Sequence, residues 1–270
     1  MAEADDGDGG TVAVRREDEV LRVVLERPER GNALSPGMVR AFAAAFEEAA
    51  SDDGLRAILI EGAGRDFCTG VDWVSSNEEG GRPRTGHLVR RTPLRAHRIV
   101  QLLHDVHLPV VCAVQGWAAG FGMGLALAAD FTVATRSALL WAPFTRRGFT
   151  PDSGSTWLLP RLVGMARAKE LLLLGRRITG AEAAEMGLIH RAVEPDELPS
   201  AAAALVGELA NGPTVALGLA KAALHGAANR TLADALTDET MRLELACRTL
   251  DFKEGLAAFA ERRDPGFRGR

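Results

Sequence analysis

Residues Val110-Val111-Cys112-Ala113-Val114-Gln115-Gly116-Trp117-Ala118-Ala119-Gly120-Phe121-Gly122-Met123-Gly124 decide how this chain is read. The run 110–114 is apolar throughout, as in a strand buried on both faces. Glycines then break the run, and Gly120 to Ala129 reads as a helix. A strand-to-helix turn leaves the first backbone N–H groups of the helix without internal partners. The helix dipole makes that end attractive to negative charge. A second segment of the same build lies upstream: Ala57-Ile58-Leu59-Ile60 as a strand, then Phe67-Cys68-Thr69-Gly70-Val71-Asp72-Trp73. Two such turns converging would supply a pair of N–H donors for one oxyanion. That arrangement suits a carbonyl that becomes an enolate.

Outward from these two segments, the pattern is one of strands alternating with helices. Val12 to Arg16 and Val20 to Glu26 read as strands joined by a polar turn. Ser35-Pro36 is a helix start, because serine caps and proline is tolerated at the first helical position. Met38, Phe42, Phe46 and Ala49 give that helix an apolar face, and Asp52-Asp53-Gly54 stops it. Residues 74–91 are polar, glycine-bearing and basic without periodicity, which predicts a mobile loop. Leu94 to Val106 reads as a helix and Phe131 to Ala134 as a third strand. Past residue 155 the character changes. Thr179-x-x-Glu182 has the form of a capping box, and alanine-rich helical patterns run almost to the end. The expected organisation is an acidic, disordered tail over 1–10, an α/β core over 11–195 and a helical C-terminal region over 196–270.

The chain has 270 residues, 47% hydrophobic and 25% charged, ordinary for a globular protein with a large core. A net charge of −4 provides no basic field for nucleic acid. No apolar run reaches membrane-spanning length, and the acidic start does not read as a secretory signal. Cys68, Cys112 and Cys247 are an odd set without metal-ligand spacing. Cys112 and Cys247 fit packing roles in a reducing cytoplasm, while Cys68 lies beside the glycine turns, where a catalytic role is conceivable. No His, Cys and carboxylate cluster has the spacing of a metal site.

Three further blocks join the two glycine segments: Gly31-Asn32-Ala33-Leu34-Ser35, Pro151-Asp152-Ser153-Gly154 and the tail Phe252-Lys253-Glu254-Gly255-Leu256-Ala257-Ala258-Phe259. In this order, from about residue 12 onward, the chain resembles the crotonase family, the enoyl-CoA hydratase/isomerase superfamily. The resemblance implies a crotonase-like α/β spiral of ββα units with a helical C-terminal trimerisation region, assembled as a homotrimer or a dimer of trimers. It implies an acyl-CoA thioester substrate, with coenzyme A entering as part of the substrate and no separate cofactor. The thioester oxygen would be held by the backbone N–H groups of Val71 and Phe121. Around the thioester the match also covers Ala33, Thr69, Gly70, Trp73, Gly120 and Phe144. Arg27 and Arg30 flank the first block and read either as groups that meet coenzyme A phosphates or as solvated surface arginines. Phe259 and Lys253 match a region that in relatives lies near the nucleotide end of coenzyme A, sometimes on a neighbouring subunit.

The acid/base groups decide the reaction. Hydratases of the family hold a water between two glutamates. Here the first position, after Met123, is Gly124, and the second, after Pro143, is Phe144. Neither side chain ionises, so neither can activate water. Asp152 remains, just before an expected helix from Thr156 to Leu162. Its local sequence reads equally as a helix N-cap. The motif is similar to that of enoyl-CoA isomerases and ring-1,2-epoxyphenylacetyl-CoA isomerases, which implies a single catalytic carboxylate. One carboxylate can take a proton from carbon 2 of a 3-enoyl thioester and return it at carbon 4. Three alternatives keep the fold: a hydratase with an atypical water, a nucleophilic aspartate as in aromatic dehalogenases, and a non-catalytic acyl-CoA-binding member. Other polar residues read as structural. Asp72 would orient the turn after Val71, Asp130 would follow a core helix, and Trp117 would pack. His97, His104 and His107 would be surface or satisfied core groups, and Cys68 has no base beside it in sequence.

Overall fold

The apolar runs at 57–60 and 110–114 become neighbouring parallel strands, as uniform burial demands. The computed structural model describes residues 10–72 and 84–270. Strands β1 (Thr11–Glu17) and β2 (Val20–Glu26) are followed by α1 (Pro36–Ala49), β3 (Ala57–Gly62), α2 (His87–Arg91) and α3 (Ala96–Asp105). Next come β4 (Val110–Val114), β5 (Trp117–Ala119), α4 (Phe121–Ala128), β6 (Phe131–Thr135), β7 (Leu139–Trp141) and α5 (Ser155–Leu173). The chain continues through β8 (Arg177–Thr179), α6 (Gly180–Glu185) and β9 (Arg191–Val193), then α7 (Leu198–Ala210), α8 (Thr214–Ala227), α9 (Leu232–Ala246) and α10 (Leu250–Glu261).

Two sheets result. The larger has the order β1-β2-β3-β4-β6-β9, antiparallel at β1-β2 and parallel elsewhere; the smaller has the order β5-β7-β8. Single bridges, Cys68 to Ala118 and Leu34 to Val71, carry the line of the smaller sheet back towards the N-terminus. The chain therefore repeats one path: a strand of the large sheet, a short crossing in the small layer, then a helix. This is the expected ββα repeat.

Side-chain alternation assigns the two faces of the large sheet. Ile58, Ile60, Val110, Cys112 and Val114 enter the main core with α1, α3, α4 and α5. Ala57, Leu59, Val111 and Ala113 face Leu198, Ala202, Val206 and Ala210 of α7. Each fully buried residue of leucine size contributes about 1.5–3 kcal/mol by leaving water. Helix α1 begins as read: the Ser35 hydroxyl accepts from Met38 N at 3.2 Å. Its face of Met38, Phe42, Phe46 and Ala49 is buried, with the two phenylalanine rings stacked at 5.0 Å.

Elsewhere the structure corrects the reading. Residues 73–83, most of the expected mobile loop, lie outside the described residues, but His87–Arg91 is a helix. It buries no side chain, which explains why no apolar periodicity announced it. Helix α5 extends past Leu162 to Leu173, broken at Gly164 where φ is 74° and ψ 165°. The capping box does open α6. The Thr179 hydroxyl accepts from Glu182 N at 3.2 Å, and Glu182 accepts from Thr179 N at 2.7 Å.

Candidate active site

Asn32 draws the glycine turns together. It is fully buried at a left-handed φ of 54°, a conformation asparagine tolerates better than most residues. Its amide nitrogen donates to the carbonyls of Ala63 (2.9 Å) and Asp66 (2.6 Å), and its oxygen accepts from Arg27 N at 2.8 Å. The Asp66 carboxylate then accepts from Trp117 N at 2.9 Å. Cys68 N donates to Trp117 O and Ala119 N to Cys68 O, each at 2.9 Å. The approach is close enough to require glycine at 122, where a Cβ would lie 2.0 Å from the Cys68 oxygen.

Gly70, at φ 113°, faces the start of α4: a Cβ there would lie 3.6 Å from the Phe121 nitrogen. The two turns thus converge. Leu34 N donates to Gly70 O and Asp72 N to Leu34 O, a pairing that skips the Val71 N–H. Phe121 is the first residue of α4, so its N–H has no helical partner. Among the described residues, neither amide donates a hydrogen bond. Phe121 is buried and Val71 half-buried, and burial of the Phe121 donor strengthens it towards an anion.

Other expected residues are placed around this centre. Gly120 N donates to Trp141 O at 2.8 Å, which anchors the turn. Thr69 N donates to Gly31 O, and its hydroxyl donates to Arg30 O at 3.3 Å. Ala33 is half-buried, its carbonyl accepting from Arg27 Nη1 at 3.0 Å. Phe144 is 3% exposed and meets Phe149 edge-on at 5.7 Å, an apolar wall where a hydratase carboxylate would stand. Arg30 is exposed.

Arg27 departs from expectation. It is only 1% exposed and pairs with Asp72 Oδ2 at 3.0 Å. A guanidinium so enclosed braces the turn that carries Val71 rather than reaching coenzyme A phosphates. Trp73 lies outside the described residues. Phe259 is 86% exposed on α10, and no interaction among the described residues brings it to the turns. Burial pushes the Cys68 thiol up to about 12, so it stays protonated and inert as a nucleophile.

Asp152 is not a helix cap. The N-cap of α5 is Gly154, and no side chain bonds the first turn. Ser155 satisfies the Asp152 carbonyl instead, with its N–H at 3.0 Å and its hydroxyl at 2.5 Å. The half-buried carboxylate accepts from Ser153 Oγ through Oδ1 at 2.5 Å. Among the described residues Oδ2 has no hydrogen-bond partner. The Asp152 loop rests on α4, the helix that presents Phe121: a Cβ at Gly124 would lie 2.7 Å from the Ser153 Cβ. The Phe121 donor and a carboxylate held through one oxygen by Ser153 are thus both set against α4, with the Val71 donor on the facing turn. Asp130 is structural as read, accepting from Val110 N and Lys221 Nζ at 2.8 Å each. The roles of Asn32, Asp66 and Ser153 were not foreseen, although asparagine amid glycines at 31–32 is a recognisable sign of left-handed backbone.

The family model described as enoyl-CoA hydratase/isomerase matches residues 15–270. The chain is 40% identical over 256 residues to the 1,2-epoxyphenylacetyl-CoA isomerase of Escherichia coli (strain K12), covering 94% of this chain and 97% of the relative. It is 41% identical over 249 residues to a protein of Rhodobacter capsulatus described as "Probable enoyl-CoA hydratase", covering 92% and 94%. Among solved structures, an enoyl-CoA hydratase from Polaromonas sp. JS666 superposes with a TM-score of 0.89 at 30% identity, over 96% of this chain and 100% of that one. An enoyl-CoA hydratase from Bacillus anthracis gives 0.88 at 31%, over 96% and 99%.

Proposed function

The chain belongs to the enoyl-CoA hydratase/isomerase family, and from that premise we propose that it isomerises an enoyl-CoA thioester with Asp152 as its one acid/base group. The observation that carries the reading is the Asp152 carboxylate, ionisable, beside α4 and not occupied as a cap. Gly124 and Phe144 stand where a water-holding pair would be needed.

In the proposed reaction the thioester carbonyl lies between the N–H groups of Val71 and Phe121. Asp152 takes a proton from carbon 2 of a 3-enoyl group, and the electron pair moves onto the thioester oxygen. Each N–H then binds a full oxyanion, an effect on the order of 3–4 kcal/mol per donor in comparable sites. The protonated aspartate returns the proton at carbon 4, leaving the double bond conjugated with the carbonyl. The same parts could rearrange an activated ring, and the 40% identity to the 1,2-epoxyphenylacetyl-CoA isomerase favours including such substrates.

Assembly is part of the reading. Leu232, Leu236, Leu243 and Leu250 are 53–76% exposed in the single chain, apolar surface that a closed oligomer would cover. Light scattering should give a trimer or a pair of trimers; a stable, fully active monomer would rule this out. The chemistry is tested with 2-enoyl, 3-enoyl and aromatic-ring CoA thioesters followed by ultraviolet absorbance and mass. Isomerisation leaves the mass unchanged, whereas addition of a water to a 2-enoyl thioester would overturn the proposal.

A further inference from the structure

Ser153 sits where a serine is out of place. Its φ of 57° is left-handed backbone, which glycine occupies freely and residues with a Cβ avoid. Gly154 follows at 74°. Non-glycine residues persist in this region when the surroundings over-determine them, and they cluster at functional sites. Ser153 is 1% exposed, so its hydroxyl does not serve solvent. The Oγ lies 2.5 Å from Asp152 Oδ1, the length of a charge-assisted bond. On its other side, Ser153 fills the room that a side chain at Gly124 would need. A Cβ there would lie 2.7 Å from the Ser153 Cβ and 2.9 Å from its carbonyl oxygen. The helix that presents the Phe121 N–H therefore holds Ser153, and Ser153 holds the carboxylate.

We propose that Ser153 is the positioning residue of the reaction: its hydroxyl fixes Oδ1 of Asp152 and leaves Oδ2 to carry the proton from carbon 2 to carbon 4. The inference rests on Asp152 being the acid/base group described above. In the first half the C2–H bond breaks, an O–H bond forms on Oδ2, and the electron pair passes to the thioester oxygen. In the second half the carbonyl re-forms, the double bond settles between carbons 2 and 3, and the Oδ2 proton forms the new C4–H bond. Ser153 donates throughout and exchanges no proton.

Ser153→Ala and Ser153→Gly test this, with Asp152→Asn as reference and a 3-enoyl-CoA thioester as substrate. Both serine variants should lower kcat about tenfold, the scale of one hydrogen bond to a charged group. KM should stay near wild type, so that the loss falls on kcat alone. Ser153→Gly removes the left-handed strain, so it should melt close to wild type and still show the full loss in kcat. Wild-type kcat in both variants, beside an inactive Asp152→Asn, would overturn the proposal and leave Asp152 as the base. An active Asp152→Asn would overturn the reading of the base and this proposal with it.

Discussion

Two buried polar regions of this molecule follow opposite rules. Where α8 meets the core, the Lys221 ammonium donates to Leu103 O (3.0 Å), Leu108 O (3.2 Å) and Asp130 Oδ2 (2.8 Å). All three of its donors are used. Burial pulls this lysine below the ordinary range, and the Asp130 charge counters that pull. At the glycine turns, by contrast, the N–H groups of Val71 and Phe121 have no hydrogen-bond acceptor among the described residues, and Ser153 is held in an unfavourable backbone region. The ammonium that ties α8 to the core has every donor used, whereas the two backbone donors at the turns are open where a substrate oxygen would stand. Unsatisfied donors are costly in a finished fold. A converging pair of open backbone donors therefore marks function more sharply than a buried charge does.

The comparison predicts different failures on the two sides. Asp152→Asn should lower turnover about 10²-fold or more while binding of a CoA thioester and thermal stability persist. Activity within a few-fold of wild type would place the base elsewhere. Gly124→Glu should also abolish most isomerisation without creating a hydratase. Its Cβ would press on Ser153 at 2.7 Å and displace the Asp152 loop. Strong hydration by a well-folded variant, read as an added water by mass, would break this account.

On the scaffold side the expected change is in stability rather than chemistry. Lys221→Met strands Asp130 and two carbonyls, so denaturant titration should show a loss of roughly 3 kcal/mol. The folded fraction should keep nearly its full kcat per active molecule. A stable variant with lost turnover would erase the distinction between the regions.

The smallest expected effect is on acid stability. His107 and His225 both lie at the α8 junction, and burial, chiefly, lowers each below the ordinary 6.5; the charges of Lys221 and, for His225, His104 add to it, while Asp53 and Asp130 oppose. The unfolded chain then binds protons first as pH falls. Stability from these groups is full above pH 6.5 and is lost as pH drops through the lower folded values. A denaturation midpoint that rises on acidification through this range would contradict the assignment.

What the sequence makes legible is local. Uniform apolar runs marked β3 and β4, Ser35 and Pro36 marked the start of α1, and Thr179 with Glu182 marked α6, because each signal lies within a few residues. The two N–H turns were legible for the same reason. Strands of three residues, such as β5, β7 and β8, are too short to show a period. Arg27 looked like a surface cation because its partner Asp72 is distant in sequence. Lys221 was overlooked because its partners lie on α3, the α3–β4 connection and the end of α4. The contact of Ser153 with Gly124 depends on a left-handed φ that composition does not record.

The central claim is that one carboxylate and two backbone donors work without an activated water. The most direct test incubates a 3-enoyl-CoA thioester with the protein in oxygen-18-labelled water and follows both absorbance and mass. The account predicts a conjugated 2-enoyl product with unchanged acyl mass and no label. A 3-hydroxyacyl product carrying oxygen-18 would contradict it.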